Sequence, residues 1–225
     1  MSFAIDLALA AFAALFAWRL ARKARSNNQL CVWLWASAMA ALGSATMLGM
    51  LYRQIAQLIV PGEAVEMLWR LSIALHLLST ALLLCGVIIA YGVGRIRTAG
   101  LIVTAVKLAG FLVVLGYKQT FDIAVYDCAL SALLLLVLCT YGAWTWKLPH
   151  AQWIVAGAVV WLFATLLHQG RVGPGQPLTP GDLFRAMEIA ALLFFVRGGV
   201  DMRDDPSAQG LRQLDWRLRA KNGAR

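Results

Sequence analysis

Asp182, Arg185 and Glu188 recur at three-residue steps at the head of an otherwise apolar stretch that runs to Gly199. On a helix that spacing gathers them into about 100° of arc, so they share one side. Ser72 and His76 stand one helical turn apart in another apolar run, which also carries Glu66, Arg70, Ser79 and Thr80. Lys107, Asp122, Asp127 and His168 add further polar groups to apolar segments. A hydroxyl, an imidazole and carboxylates in a water-poor cavity are the parts of metal-assisted hydrolysis, of a proton relay, or of a buried ion-pair network. Hydrocarbon cannot be what they face, because a charge there costs at least about 2.5 kcal/mol.

The composition says what must position them. Of 225 residues, 61% are hydrophobic and 14% charged, and the mean hydropathy is +0.71. Those values exclude an ordinary soluble domain and point to an integral membrane protein. The formal charge of +9 does not indicate nucleic acid, because the basic residues lie in short runs between apolar segments rather than on one face. Cys31, Cys85, Cys128 and Cys139 fall inside apolar segments without metal-type spacing and read as small buried hydrophobes. The first apolar segment has its basic run after it, not before it, so it reads as a retained span rather than a signal peptide.

An all-α polytopic membrane protein follows, with seven transmembrane helices in a bundle. The spans are expected at about 2–18, 30–52, 66–92, 99–117, 121–146, 151–169 and 182–199. Arg19, Arg22, Lys23 and Arg25 follow the first, Arg95 and Arg97 the third, Lys147 the fifth and a basic tail the seventh. Positive residues collect on the cytoplasmic side. The N-terminus is therefore expected outside, periplasmic or extracellular, and the C-terminus in the cytoplasm, with the chain in the inner membrane. Trp18, Trp69, Trp144, Trp146 and Trp153 lie near span ends, as interfacial anchors do. Residues 53–65 and 170–181 read as the longer outer connections, the second rich in proline and glycine. In the tail, 201–225, Leu211, Leu214 and Leu218 recur among arginines, which suits a basic amphipathic helix on the inner leaflet.

At 1.5 Å per residue, His76 lies roughly 15 Å deep, and Asp127 and Glu188 roughly 9 Å deep. The simplest geometry is a polar chamber opening outward. Glu66 with Arg70, Lys118 with Asp122, and Arg185 with Glu188 are spaced to pair along their own helices. Asp127 and His76 have no such partner.

Ser72-Ile-Ala-Leu-His76 on a third span, a carboxylate-bearing fifth span, and a last span that opens Gly-Asp182-Leu-Phe-Arg185 and ends Arg197-Gly-Gly resemble the seven-helix superfamily of alkaline ceramidases and progestin/adipoQ-type receptors. The resemblance implies a zinc ion held by histidines and an aspartate, hydrolysing a lipid amide, with Ser72 and His76 as the matching Ser–His pair. The rest of the pattern departs. No carboxylate follows His76 on its own span, and Arg185 stands where a ligand histidine belongs; a guanidinium cannot ligate zinc. The expectation is a divergent, non-catalytic member in which Arg70, Asp127, His168, Asp182, Arg185 and Glu188 bind a ligand or form an ion-pair network with His76. It would bind a membrane lipid or small ligand, or serve as a subunit of a membrane complex with a protein partner. The alternative is a metal-dependent intramembrane hydrolase with Ser72, His76 and Asp127 as catalytic candidates and zinc at His76 with Asp127 or Glu188.

Overall fold

The computed structural model describes residues 2–58, 62–117, 120–146, 148, 150–171 and 179–204. They form seven helices: α1 (Ser2–Asn27), α2 (Leu30–Leu58), α3 (Glu63–Tyr91), α4 (Arg95–Tyr117), α5 (Asp122–Trp146), α6 (Ala151–Gln169) and α7 (Pro180–Gly199). Among the described residues there is no strand. The first six are long and apolar enough to cross a membrane. α7, with Asp182, Arg185, Glu188 and Arg197 in 20 residues, is not among them. The outer surface carries large apolar side chains such as Val106, Val137 and Leu166, as a bundle solvated by lipid tails should.

Several helices outrun the apolar stretches that announce them. α1 continues past Trp18 through Arg19, Arg22, Lys23 and Arg25 to Asn27, because long basic side chains carry their charge to water while the backbone stays helical. It stops where Asn28 takes a left-handed conformation, φ 49°, a backbone state asparagine tolerates better than most residues. α2 and α3 together occupy most of the expected 53–65 connection. α7 begins at Pro180 behind a capping box, in which Thr179 and Asp182 bind each other's backbone N–H groups. Lys118, residues 172–178 of the Gly/Pro-rich connection and residues 205–225 of the basic tail lie outside the described residues.

Neighbouring helices pack in the order α1, α2, α3, α5, α6, α7 and back to α1, closing a ring; α4 lies outside it, against α3 and α5. The centre of the ring is filled, not open, at the end away from the α1 N-terminus. There Trp35 is fully buried, donates its indole N–H to Leu83 O at 2.9 Å and meets Phe195 edge-on, which in turn meets Trp161. Gly86 and Gly199 make this possible, since a Cβ on either would lie 2.3 and 2.5 Å from the Trp35 ring. The same end is tied together by Asp204. Its carboxylate accepts from Leu30 N and Cys31 N, both at 2.8 Å, so the start of α2 is capped from the far end of the chain. Arg97 donates to Asp204 O at 2.8 Å and to Ile89 O at 2.6 Å, which adds the α3–α4 corner.

Candidate functional site

At the opposite end the ring does open. A cavity of about 440 Å³ is lined by Phe3, Asp6, Met50, Arg53, Trp69, Phe121, His168, Thr179, Asp182 and Arg185, among others. Six helices therefore contribute to it or stand at its rim. Its chief charged feature is Asp6, 1% exposed within the first apolar helix. Arg53 Nη2 from α2 donates to Oδ2 and Arg185 Nη1 from α7 donates to Oδ1. A lone carboxylate would be costly at such a place, and charge-assisted bonds from two directions answer it. Two guanidiniums on one carboxylate leave that trio with one positive charge in excess, and Asp182, the second acid of the same cavity wall, brings the four groups to balance. Arg185 also lies over the Phe121 ring, 5.7 Å from its centroid, a favourable seat for a cation.

Asp182 is buried but engaged: Thr179 N and Thr179 Oγ1 both donate to its Oδ2 at 2.9 Å. Burial and the cap thus fix it at the positive end of the α7 dipole. His168 rests between Phe121 and Phe184, with ring centroids 5.9 and 5.5 Å away, and its Nδ1 is buried without a hydrogen-bond partner. Trp69, expected as an interfacial anchor, stacks on Tyr52 at 5.0 Å and lines the cavity instead. Trp18 and Trp144 do face outward.

Beneath the chamber a narrow cavity of about 20 Å³ is lined by Ser72, His76, Glu188 and Arg185, room for about one water. Ser72 Oγ donates to Ala45 O at 2.7 Å, which binds α3 to α2. His76 Nε2 lies 3.0 Å from Cys128 Sγ and 3.9 Å from Glu188 Oε1. That oxygen has no hydrogen-bond partner. The geometry brings Ser72, His76 and Glu188 to one narrow cavity, whereas the depth count groups His76 and Glu188 with Asp127.

Asp127 is elsewhere. It is fully buried on α5, where Lys107 Nζ donates to its Oδ1 and Thr80 Oγ1 to its Oδ2. Lys107 Nζ also donates to Ser131 Oγ at 2.9 Å and to Thr80 Oγ1 at 3.2 Å. All three ammonium protons have acceptors, and this knot joins the outlying α4 to α3 and α5. The expected network of Arg185, Glu188, Asp127 and His76 is therefore two networks. Arg185 bonds Asp6 rather than Glu188, because a partner on another helix can meet the guanidinium head-on. Arg70 forms the expected pair with Glu66 at 4.0 Å, both half exposed and outside the chamber. Among the described residues no group of three His, Cys, Asp or Glu side chains is placed to hold a metal ion.

Asp6, Arg53 and Lys107 are the residues that pattern reading passed over as site residues. Their isolation was the signal: each is a charge inside or at the end of an apolar helix, and such a charge needs a partner. No curated protein and no solved structure matches the chain. A family match covers residues 1–204, all seven described helices, and so the chain belongs to DUF6962, a family of unknown function.

Proposed function

We propose that this protein is a seven-span, non-catalytic membrane protein whose chamber receives a small ligand or lipid from the outer side of the inner membrane. The observation that carries the reading is the cavity of about 440 Å³ at the α1 N-terminal end, lined by both charged and aromatic side chains. A wall of that kind suits a ligand with a polar head and an apolar body. The outer location draws on Arg19, Arg22, Lys23 and Arg25 in the last turns of α1 and on Arg95 and Arg97 at the start of α4, at the end of the bundle opposite the chamber. α7 supplies the seventh span, with Arg185 turned to Asp6 and Glu188 to the narrow cavity. The metal-hydrolase alternative has less support, since Ser72 is committed to the Ala45 carbonyl and Asp127 to Lys107.

Native mass spectrometry of protein extracted from its own membrane tests the reading. Wild type is expected to carry a small molecule that Met50→Trp, which fills the cavity, does not. Identical bound species on both proteins would remove the chamber as the site.

A further inference from the structure

We infer that the chamber recognises an oxyanion, a carboxylate or a phosphate, and that Arg53 and Arg185 are the groups that bind it; this rests on the ligand-binding reading above. The two acids in the chamber wall are already engaged. Asp6 receives both guanidiniums, and Asp182 receives two donors from Thr179. The donors are not used up. A guanidinium carries five N–H groups, and among the described residues each arginine hydrogen-bonds Asp6 and nothing else. Apart from His168 Nδ1, which accepts or donates according to its tautomer, the unmatched hydrogen-bonding capacity is that of Arg53 and Arg185, donors held side by side by one carboxylate.

Other features act in the same direction. The N-terminus of α7 faces the cavity through Thr179 and Gly181, and a helix N-terminus favours an anion. Arg53 is part-exposed at 35%, so its fork is open to an incoming group. Planar guanidiniums match carboxylate and phosphate oxygens two at a time. A cationic head would meet two guanidiniums and two carboxylates that already accept two donors each, and a neutral alcohol would leave most of the arginine donors unmatched. The unpartnered acceptor, Glu188 Oε1, lies in the narrow cavity below, too small to admit a head group. Phe3, Met50, Trp69 and Phe121 complete the wall and can cover an apolar tail.

The test uses the full chain in phosphatidylcholine nanodiscs and equilibrium binding of radiolabelled dodecanoate and radiolabelled inorganic phosphate, with empty discs as background. Dodecyl phosphate is expected to displace dodecanoate, while dodecanol and dodecyltrimethylammonium are not. Arg53→Gln should weaken dodecanoate binding by about tenfold or more, and Arg53→Lys should recover part of the loss. Saturable binding of dodecanoate alone identifies a lipid-borne anion; saturable binding of phosphate, displaced by acetate, identifies a free one. Equal displacement by dodecanol, or unchanged affinity in Arg53→Gln, overturns the oxyanion assignment and leaves the chamber as a neutral or cationic site. No probe bound above empty discs, together with identical species on wild type and Met50→Trp, overturns both.

Discussion

Asp127 and Asp6 are both acids buried in apolar helices, and each is met by cations from other helices, but the surroundings differ. Around Asp127 one cation faces one anion, and Thr80 and Ser131 take the remaining protons of Lys107. That cluster has no net charge and every ammonium proton of Lys107 is accepted, and neither the chamber nor the narrow cavity reaches it. Around Asp6 two cations share one anion beside a large cavity whose wall also holds Asp182, with N–H groups to spare. A saturated cluster can hold helices together but has nothing left for a ligand. An unsaturated one beside an opening can do both. The difference separates a structural ion pair from a candidate recognition site without reference to any relative.

The comparison predicts unequal responses to mutation. Lys107→Met, which leaves Asp127 charged and nearly alone in a closed site, should destabilise the fold by about 3–5 kcal/mol. The double change Lys107→Met with Asp127→Leu should recover most of that loss in chemical unfolding of the solubilised protein. A single mutant within about 1 kcal/mol of wild type would mean that the closed cluster is not what docks α4.

An acid titration sharpens the picture by separating both clusters from a third buried group. His150, at the turn before α6, is lowered from the usual 6.5 to about 4, chiefly by burial; Asp201 opposes the shift and Arg203 adds to it. Above pH 6.5 the ring is neutral whether folded or unfolded. As pH falls from about 6.5 towards 4, the unfolded chain takes up a proton that the folded chain refuses. Stability should therefore drop by up to about 3 kcal/mol across that window and then level off. His150→Asn should flatten this part of the profile, and an unchanged slope would assign it to other groups.

Asp6→Asn should cost less than Lys107→Met, about 2 kcal/mol, because both arginines border the open cavity and can turn to water. A loss equal to that of Lys107→Met, read from the same unfolding curves, would erase the distinction between open and closed clusters. Smallest of all, Arg70→Ala should stay within about 1 kcal/mol, since its pairing with Glu66 is half exposed. A larger loss would show that the rim of α3 supports the chamber.

Much of the fold was legible in the sequence because an apolar run of about 20 residues suits little besides a membrane-spanning helix. All seven runs became helices, with differences at ends where snorkelling arginines or a capping box extend the helix. The shared face of Ser72 and His76 follows from their one-turn spacing, but counting depth along each helix grouped His76 and Glu188 with Asp127, which Lys107 holds elsewhere. What could not be read was which helix turns towards which. Lys107 looks remote from Asp127 when depth is counted from the end of α4, whereas contact depends on the offset between helices and on the reach of a lysine. Asp6 sits 47 residues from Arg53 and 179 from Arg185, and no local periodicity records such partners.

The two ties that close the ring also impose an order in time. Asp6 has Arg185 as a partner 179 positions later, and the first turn of α2 is capped by Asp204, 174 positions after Leu30. At synthesis rates of about 5–20 residues per second, roughly 10–35 s separate the emergence of each pair. Through that interval α1 holds a buried acid with half its answer, and α2 starts without its cap. The newborn bundle is consequently an open arc, and only the arrival of α7 and the residues just after it closes both ties.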